Sequence, residues 1–137
     1  MALCRASDPV VGPADGRMFA YFEGRHHPQR ALAARIGYIA VASNVVIGYI
    51  AGHDTQRLNC EGEVQYLYVK PEYRRQGVGT ALLEQLAAWF HLRGKRRVCV
   101  NVNADSPPAA PFYLSSGAGA INEHWYVWPD ISAVLDE

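Results

Sequence analysis

The residues best suited to chemistry lie in a short basic stretch that is rich in glycine. Within residues 70–80, Lys70, Arg74 and Arg75 supply positive charge, while Gly77 and Gly79 leave the backbone accessible. A glycine turn that opens a helix presents unpaired backbone N–H groups and the positive helix end to an anion, and arginine adds hydrogen bonds to phosphate oxygens. The stretch therefore predicts a pyrophosphate-binding turn. The alternative is a basic strand-to-helix turn without a ligand.

Two common nucleotide-binding motifs do not occur at this turn. The spacing differs from G-x-x-x-x-G-K-[ST], which disfavours a P-loop NTPase, and there is no G-x-G-x-x-G of a dinucleotide-binding fold. A phosphate-bearing ligand of another kind is expected.

Length and charge place the turn in one small globular domain. The 137 residues are half hydrophobic and 19% charged, which predicts a single domain over residues 1–137, with residues 1–16 as a poorly defined arm. Lys and Arg number 13, as do Asp and Glu, so no overall field favours nucleic acid or a membrane surface. Without an apolar run long enough for a membrane span or an export leader, we expect a cytoplasmic protein.

The cysteines and histidines argue against a metal centre and a disulfide framework. Three cysteines form an odd number without a C-x-x-C pair, and the five histidines include no H-E-x-x-H. The sequence therefore predicts no metal site and a reducing compartment.

Hydrophobic periodicity and turn residues predict the elements that must position the basic turn. The expected elements are two short helices within residues 18–35, a hairpin of strands 38–42 and 45–50 turning at Ser43-Asn44, a strand at 63–69, the longest helix at 80–93, a strand at 98–103, a helix at 107–116 and a strand at 125–128. This order predicts an α+β fold around one central sheet. The period of two predicts that Val64, Tyr66 and Tyr68 share one face of their strand.

Residues 63–83 resemble the acetyl-CoA-binding motif of the GNAT superfamily of N-acetyltransferases. Residues 69–79 read V-x-P-x-x-R-x-x-G-x-G between a strand and a helix, and residues 109–117 match the family's A-x-x-x-Y-x-x-x-G helix. The resemblance extends over residues 37–129. It implies a twisted, mostly antiparallel central sheet with helices on both faces, in which the strands at 63–69 and 98–103 splay apart. The region before residue 37 is short for the family and predicts no first strand.

The resemblance implies that acetyl-CoA is the co-substrate. Backbone N–H groups of residues 75–80 would hold its pyrophosphate, and the backbone of Leu67 and Val69 would bond the pantetheine arm. Ser106 stands where the family commonly has asparagine, so that contact is altered or reduced to helix capping. The full set of expected cofactor-binding residues is Leu67, Tyr68, Val69, Arg74, Arg75, Gln76, Gly77, Val78, Gly79, Thr80, Ser106 and Tyr113.

The implied reaction moves an acetyl group to a primary amine by direct transfer in a ternary complex. An alkylammonium with a pKa of about 10 must lose a proton before it attacks. Glu63, fourteen positions before Gly77, corresponds to the family's catalytic glutamate, and it acts directly or through a water; its alternatives are an exposed strand-edge role, or Glu61, Glu123 or His53 as the base. Tyr113 corresponds to the tyrosine that protonates the departing thiolate, against an alternative of core packing with Phe112.

The acceptor must be chosen by segments outside the motif, at residues 19–30, 53–61 and 122–128. Their carboxylates and aromatic rings favour a small-molecule amine. A protein amine, or a non-catalytic acyl-CoA-binding module, remains the alternative. Family habit suggests a homodimer.

Overall fold

A computed structural model describes residues 2–5, 31–102 and 109–135, which form one seven-stranded sheet and two α-helices. The elements are β1 (Ala2–Arg5), β2 (Ala31–Ala42), β3 (Val45–Thr55), β4 (Gly62–Val69), α1 (Val78–Leu92), β5 (Val98–Asn101), α2 (Ala109–Ser115), β6 (Gly119–Ala120) and β7 (Trp125–Trp128). Short 3-10 helices cover Arg57–Asn59, Pro71–Tyr73 and Ile131–Leu135. The strand order is β1-β2-β3-β4-β5-β7-β6, antiparallel except for the parallel pair β4–β5. The predicted α+β class with a mostly antiparallel sheet is confirmed.

The predicted hairpin is present, with strands longer than the sequence indicates. Ser43 and Asn44 both have positive φ, 50° and 64°, which is the geometry of a two-residue turn that matches the twist of its strands. Behind this turn β2 and β3 pair from Ala42↔Val45 back to Ala31↔Thr55.

The N-terminal half of the chain corrects two predictions. The second short helix expected within residues 18–35 is wrong at its end, because β2 already begins at Ala31 and pairs with β3. The arm over residues 1–16 contains the strand β1, whose Ala2 to Arg5 pair with Val41 to Tyr38. In both places pairing with a distant strand overrides the local sequence pattern. A short segment carries no sign of such pairing. The remaining helical prediction lies outside the described residues.

Helices α1 and α2 pack on the same face of the sheet, which we call the helix face. Buried α1 side chains meet Ile36, Ala40 and Ile50 of the sheet; they are Val78, Leu82, Leu83, Leu86, Ala87 and Phe90. The opposite face, called the far face, carries Tyr49, Ile39, Val46, Tyr66 and Tyr68 near β2–β4 and Cys99, Val127 and Trp125 near β5–β7. The described residues place no α-helix on the far face, and the helix predicted before residue 31 lies outside them.

A bulge in β4 corrects the predicted alternation. Ala51 pairs with Tyr66 but the next residue, Gly52, pairs with Val64, so Gln65 is an extra residue in the strand. Beyond this extra residue, the side chains of β4 point to the face opposite to the one that strict alternation predicts. Val64 therefore lies on the helix face with Leu67 and Val69, whereas Tyr66 and Tyr68 lie on the far face.

The expected splay of the two central strands is present at the same place. β4 and β5 pair only at Gly62↔Val98, Glu63↔Cys99 and Val64↔Val100. β4 then runs on to Val69 without a β5 partner, and the two strands part just where the bulge lies.

Helix α1 is tied down at its C-terminal end. Gly94 has φ +75°, and the backbone N–H groups of Gly94 and Lys95 donate to the carbonyls of His91 and Phe90, which confirms the predicted stop. The Arg93 guanidinium donates two hydrogen bonds, of 2.8 and 2.7 Å, to the buried Asp54 carboxylate of β3. This hydrogen bonding raises the pKa of Arg93. These contacts fix the C-terminal end of α1 against β3, while the helix starts at Val78, two residues before the prediction.

Helix α2 is fixed by its contact with β7. Tyr113 meets the ring of Trp128 edge-on at 5.7 Å between centroids, and the Trp128 indole N–H donates to Ser116 Oγ at 3.2 Å. Gly117, at φ +104°, follows the helix as predicted. The predicted helix start at residues 107–108 lies outside the described residues. No helix within residues 31–102 and 109–135 is long and apolar enough to cross a bilayer.

Candidate active site

A cleft of about 640 Å³ opens between the second half of β4, the start of α1 and helix α2. It lies on the helix face, beside the gap that the splay of β4 and β5 creates. The lining residues are Leu67, Tyr68, Val69, Pro71, Arg74, Arg75, Gly77, Gly79, Thr80, Ala109, Pro111, Phe112 and Tyr113. Nine of the twelve expected cofactor-binding residues are among them. Of the other three, Gln76 and Val78 do not line the cleft, and Ser106 lies outside the described residues.

The N-terminal end of α1 forms one wall from backbone atoms. Gly77 occupies the N-cap position with φ +85°, no side chain caps the helix, and a Cβ there would meet nothing within 4 Å. The first N–H groups of any α-helix have no partner within that helix. With Gly77 and Gly79 lining the cleft, this end of α1 offers donors and a positive dipole end to an anion.

The opposite wall approaches α1 closely at Gly79. A Cβ built on Gly79 would lie 3.5 Å from two ring carbons of Phe112 and 3.9 Å from Val69 Cγ2. Those are ordinary van der Waals distances, so a methyl group would fill the space that Gly79 leaves open between α1, α2 and β4.

The two arginines of the turn differ in role. Arg74 Nε donates to the Val69 carbonyl at 2.8 Å, and its guanidinium lies 5.9 Å from the Tyr68 ring centroid, so Arg74 fixes the end of β4. Arg75 is exposed and holds φ +62°, in the left-handed region. Gln76 donates from its side chain to the Glu72 carbonyl at 3.0 Å, away from the cleft. Val78 is buried in the core of the helix face.

Tyr113 belongs both to the core and to the cleft. Its side chain is fully buried between Phe112, 5.3 Å away between ring centroids, and Trp128, yet it forms part of the cleft lining. The packing that the sequence offered as an alternative is therefore present. Contact with Phe112 and Trp128 fixes the orientation of the Tyr113 ring at the wall of the cleft.

Glu63 lies apart from the cleft, on the far face. The bulge at Gln65 separates it from Leu67 and Val69, and its side chain is only 5% exposed. Glu63 Oε1 accepts a hydrogen bond from Arg57 Nε at 3.2 Å and lies 3.5 Å from Nε2 of the fully buried His53. Glu63 and His53 face each other across β3 and β4. The predicted catalytic pair Glu63 and Tyr113 thus approaches the splay from opposite faces of the sheet.

The other candidate bases lie in different settings. Glu61 is exposed, and its carboxylate accepts the backbone N–H of Arg96 at 2.9 Å. Glu123 is exposed in the loop before β7. His53 belongs to the Glu63 cluster itself.

Arg57 is the prominent residue that the sequence did not single out. It starts the 3-10 helix Arg57–Asn59, in which Leu58 and Asn59 have φ of 56° and 60°. Besides its bond to Glu63, its guanidinium carbon lies 4.7 Å from the ring centroid of Trp125. No local pattern indicates this, because Arg57, Glu63 and Trp125 meet only once β4, β5 and β7 are side by side.

Two free thiols complete the far face beneath this cluster. Cys60 and Cys99 are buried with Val127, and Cys99 pairs with Glu63 in the sheet. A hydrogen bond with Cys99 lowers the pKa of Cys60, helped by the charge of Arg97, while the same bond and burial raise the pKa of Cys99.

The carboxamide oxygen of Gln65 is buried without a hydrogen-bond partner among the described residues. It belongs to the bulge, where β4 leaves β5. Such an unpaired buried acceptor is costly unless a ligand's donor reaches it.

Residues 8–118 match the model of the acetyltransferase (GNAT) family. The chain belongs to this family. No curated protein matches the sequence. The match covers strands β2 to β5, the residues that line the cleft and helix α2.

Solved structures of acetyltransferases share the fold at low sequence identity. An aminoglycoside 6'-N-acetyltransferase complexed with coenzyme A superimposes with a TM-score of 0.63 at 15% identity, covering 82% of this chain and 79% of that one. The PaiA N-acetyltransferase of Thermoplasma acidophilum, in complex with coenzyme A, gives 0.60 at 18% identity, over 81% of this chain and 64% of that chain. An acetyltransferase from Thermus thermophilus gives 0.59 at 22%, over 69% and 63%. The chain thus spans less than two thirds of the last two proteins.

Proposed function

We propose that the protein is an N-acetyltransferase that moves an acetyl group from acetyl-CoA to a primary amine, most simply a small-molecule amine. The observation that carries the proposal is the cleft that joins the glycine-opened end of α1 to the splay between β4 and β5, with Tyr113 in its lining. Family membership supports acyl transfer. The amine acceptor and the residue roles are part of the proposal.

The described residues fit the cofactor. The α1 N-terminus and Arg75 suit its pyrophosphate, and the cleft between β4, α1 and α2 suits its unbranched pantetheine arm. Two of the structural neighbours were solved with coenzyme A, which supports the same assignment here.

Acetyl-CoA supplies an activated acyl carbon, and the chain supplies the proton transfers. Glu63, directly or through a water, takes the proton from the acceptor ammonium, so that the amine lone pair can form the new C–N bond. As the C–S bond breaks, the Tyr113 hydroxyl gives its proton to the thiolate, and the newly bonded nitrogen loses its second proton, directly or through a water, to the Tyr113 phenolate. Base and acid then lie on opposite sides of the reacting carbon, as the placement of the two residues on opposite faces of β4 favours.

A direct assay tests the activity. Purified protein is incubated with acetyl-CoA and a panel of amines, thiol release is followed, and the acetylated product is detected by mass. We expect release that depends on the amine. Absence of turnover with every small amine and with peptide N-termini and lysines would overturn the proposal.

A non-catalytic acyl-CoA-binding module is the second candidate. The observation that favours it is the closed state of Glu63, whose carboxylate is covered by Arg57. Calorimetry discriminates the two, because tight binding of coenzyme A by a protein without transferase activity would favour the module.

A further inference from the structure

Glu63 and Trp125 together make a receptor for a cation. A carboxylate that is 5% exposed and the face of an indole ring lie on either side of one positively charged group, the Arg57 guanidinium. Both an ion pair with a carboxylate and contact with an aromatic face stabilise organic cations, more so when water is excluded. The geometry is that of a cation-binding subsite whose present occupant belongs to the chain itself.

The receptor and its occupant are held very differently. Glu63 and Trp125 come from β4 and β7, which are joined through β5 by the rows Glu63↔Cys99↔Val127 and Asn101↔Trp125. Arg57 comes from a three-residue 3-10 helix outside the sheet and keeps 20% of its side chain exposed. The sheet fixes the two receptor groups, whereas Arg57 can be exchanged by side-chain rotation.

The turn that presents Arg57 is also strained. Leu58 and Asn59 both adopt the left-handed region, which costs an L-residue without special stabilisation about 1–2 kcal/mol. The conformation is held by the Thr55 hydroxyl, which accepts the Arg57 backbone N–H at 3.1 Å, and by the Cys60 N–H, which donates to the Arg57 carbonyl at 2.8 Å. Both contacts involve the Arg57 backbone and not its guanidinium.

Exchange of one cation for another keeps the buried carboxylate paired. An uncharged acceptor that displaced Arg57 would leave Glu63 buried without a countercharge, which is strongly unfavourable. An alkylammonium acceptor replaces the guanidinium at the same carboxylate and against the same ring. His53, the other group facing Glu63, lies 3.5 Å from the same oxygen and is fully buried, whereas Arg57 keeps 20% of its side chain exposed.

We propose that Glu63 and Trp125 form the cation subsite of the acceptor, and that Arg57 fills this subsite until an alkylammonium acceptor displaces it. The inference rests on the proposed function and deepens it, because it names the acceptor as a cationic amine and Arg57 as the residue that competes with it. The ammonium proton then faces the carboxylate that removes it. Neutral amines such as anilines are poor acceptors in this arrangement.

The test empties the subsite and asks which cation refills it. In Arg57→Ala, methylguanidinium and butylammonium chlorides at about 10 mM are expected to raise the melting temperature by about 3 °C or more. The reason is that a ligand that binds only the folded state stabilises it. Wild-type protein, in which Arg57 occupies the subsite, and Arg96→Ala, which removes a surface arginine paired with Asp130 at 3.1 Å, should show no such shift. Butanol is the uncharged control.

The outcomes separate this inference from the proposed function. The assay needs neither acetyl-CoA nor turnover, so a protein without transferase activity can still show the cation-dependent shift. Equal shifts in Arg57→Ala and Arg96→Ala, a shift with butanol, or no shift with either cation would overturn the subsite. Adding Trp125→Leu to Arg57→Ala should remove the shift. Should Arg57→Ala fail to fold, Arg57→Gln carries the same comparison.

Kinetics provide a second readout if turnover is found. Removing the internal competitor should lower KM for an alkylamine by about tenfold, while kcat changes little, because the competent state is no longer a minor population. A purely structural role for Arg57 would instead lower kcat and stability together or raise KM, and that result would count against the subsite.

Discussion

The cleft at the start of α1 and the cluster around Glu63 lie on opposite faces of the same strand and are built on different principles. The cleft presents backbone donors, glycines and exposed arginines drawn largely from residues 67–80. The cluster joins His53, Arg57, Glu63 and Trp125, four buried or half-buried side chains from separate elements. A site built from backbone groups is specified by one continuous stretch of sequence. A site built from side chains of separate strands forms only when the sheet brings those strands together.

The difference also divides the work of the proposed enzyme. The backbone-lined cleft can bind the same cofactor with many different side chains around it. The side-chain cluster can be altered residue by residue, which suits the choice of an acceptor. Variants on each face should therefore affect different steps.

The largest expected effect comes from the acid on the cleft side. Tyr113→Phe removes one hydroxyl and keeps the ring between Phe112 and Trp128, so we expect kcat to fall by a factor of about 10²–10⁴ with little change in coenzyme A affinity. Assays of thiol release measure kcat, and calorimetry measures the affinity for coenzyme A. Tyr38→Phe, in β2 and two strands away from β4, is the matched control. An unaltered kcat would remove Tyr113 from the mechanism.

The base on the far face should give the next largest effect. Glu63→Gln keeps the shape of the side chain but cannot accept a proton, and kcat is expected to fall by about 10² at neutral pH. Glu61→Gln changes a carboxylate two residues away that bonds the Arg96 backbone, and it should retain the wild-type rate. If Glu61→Gln shows the loss instead, the assignment of the base is wrong.

A smaller effect should separate binding from stability at the two ends of α1. Gly77 and Gly94 both have left-handed φ, +85° and +75°, and neither has an atom within 4 Å of a built Cβ. Alanine at either position should therefore lower the free energy of unfolding by a similar amount, about 1–2 kcal/mol. Only Gly77→Ala should also weaken coenzyme A binding, by about five- to thirty-fold if the strain is relieved by distorting the turn. Equal affinities for the two variants would mean that the end of α1 does not bind the pyrophosphate.

The smallest expected effect concerns Asp130, which lies outside both the cleft and the cluster around Glu63. Hydrogen bonds from the Ser132 hydroxyl and backbone, with a further contribution from Arg96, lower the pKa of Asp130. A carboxylate whose folded-state pKa is depressed stabilises the fold above its unfolded pKa of about 4, and the contribution is lost as the pH falls below that value. The melting temperature of Asp130→Asn should therefore lie slightly below that of the wild type at about pH 6 and converge with it near pH 2. A gap that persists in the acid range would show that charge is not its cause.

The parts of the molecule that sequence could predict share one property. The hairpin at Ser43-Asn44, the stop of α1 at Gly94 and the basic turn are specified by residues that are adjacent in the chain. The fold class follows from the order of such elements together with the resemblance to the GNAT family. Eight of the nine expected cofactor-binding residues that line the cleft lie in the continuous stretch 67–80, and the ninth, Tyr113, was expected only from the resemblance.

The parts that sequence could not predict depend on partners far along the chain. β2 extends back to Ala31 because β3 pairs with it, and β1 exists only by pairing with β2. The contact of Arg57 with Glu63 and Trp125 needs three strands in register. The alternation in β4 fails at Gln65, which has no partner in β3. Nothing in the sequence marks Gln65 as the extra residue.

That extra residue in β4 has a consequence for how the chain can change over time. Gln65 has no partner in β3, so loss of one residue between Glu63 and Leu67 would restore regular alternation and leave Glu63 and Leu67 on opposite faces. Gain of one residue would instead require a second unpaired residue or turn one half of the strand over. Descendants of this chain should therefore accept a one-residue deletion between Glu63 and Leu67 more readily than a one-residue insertion.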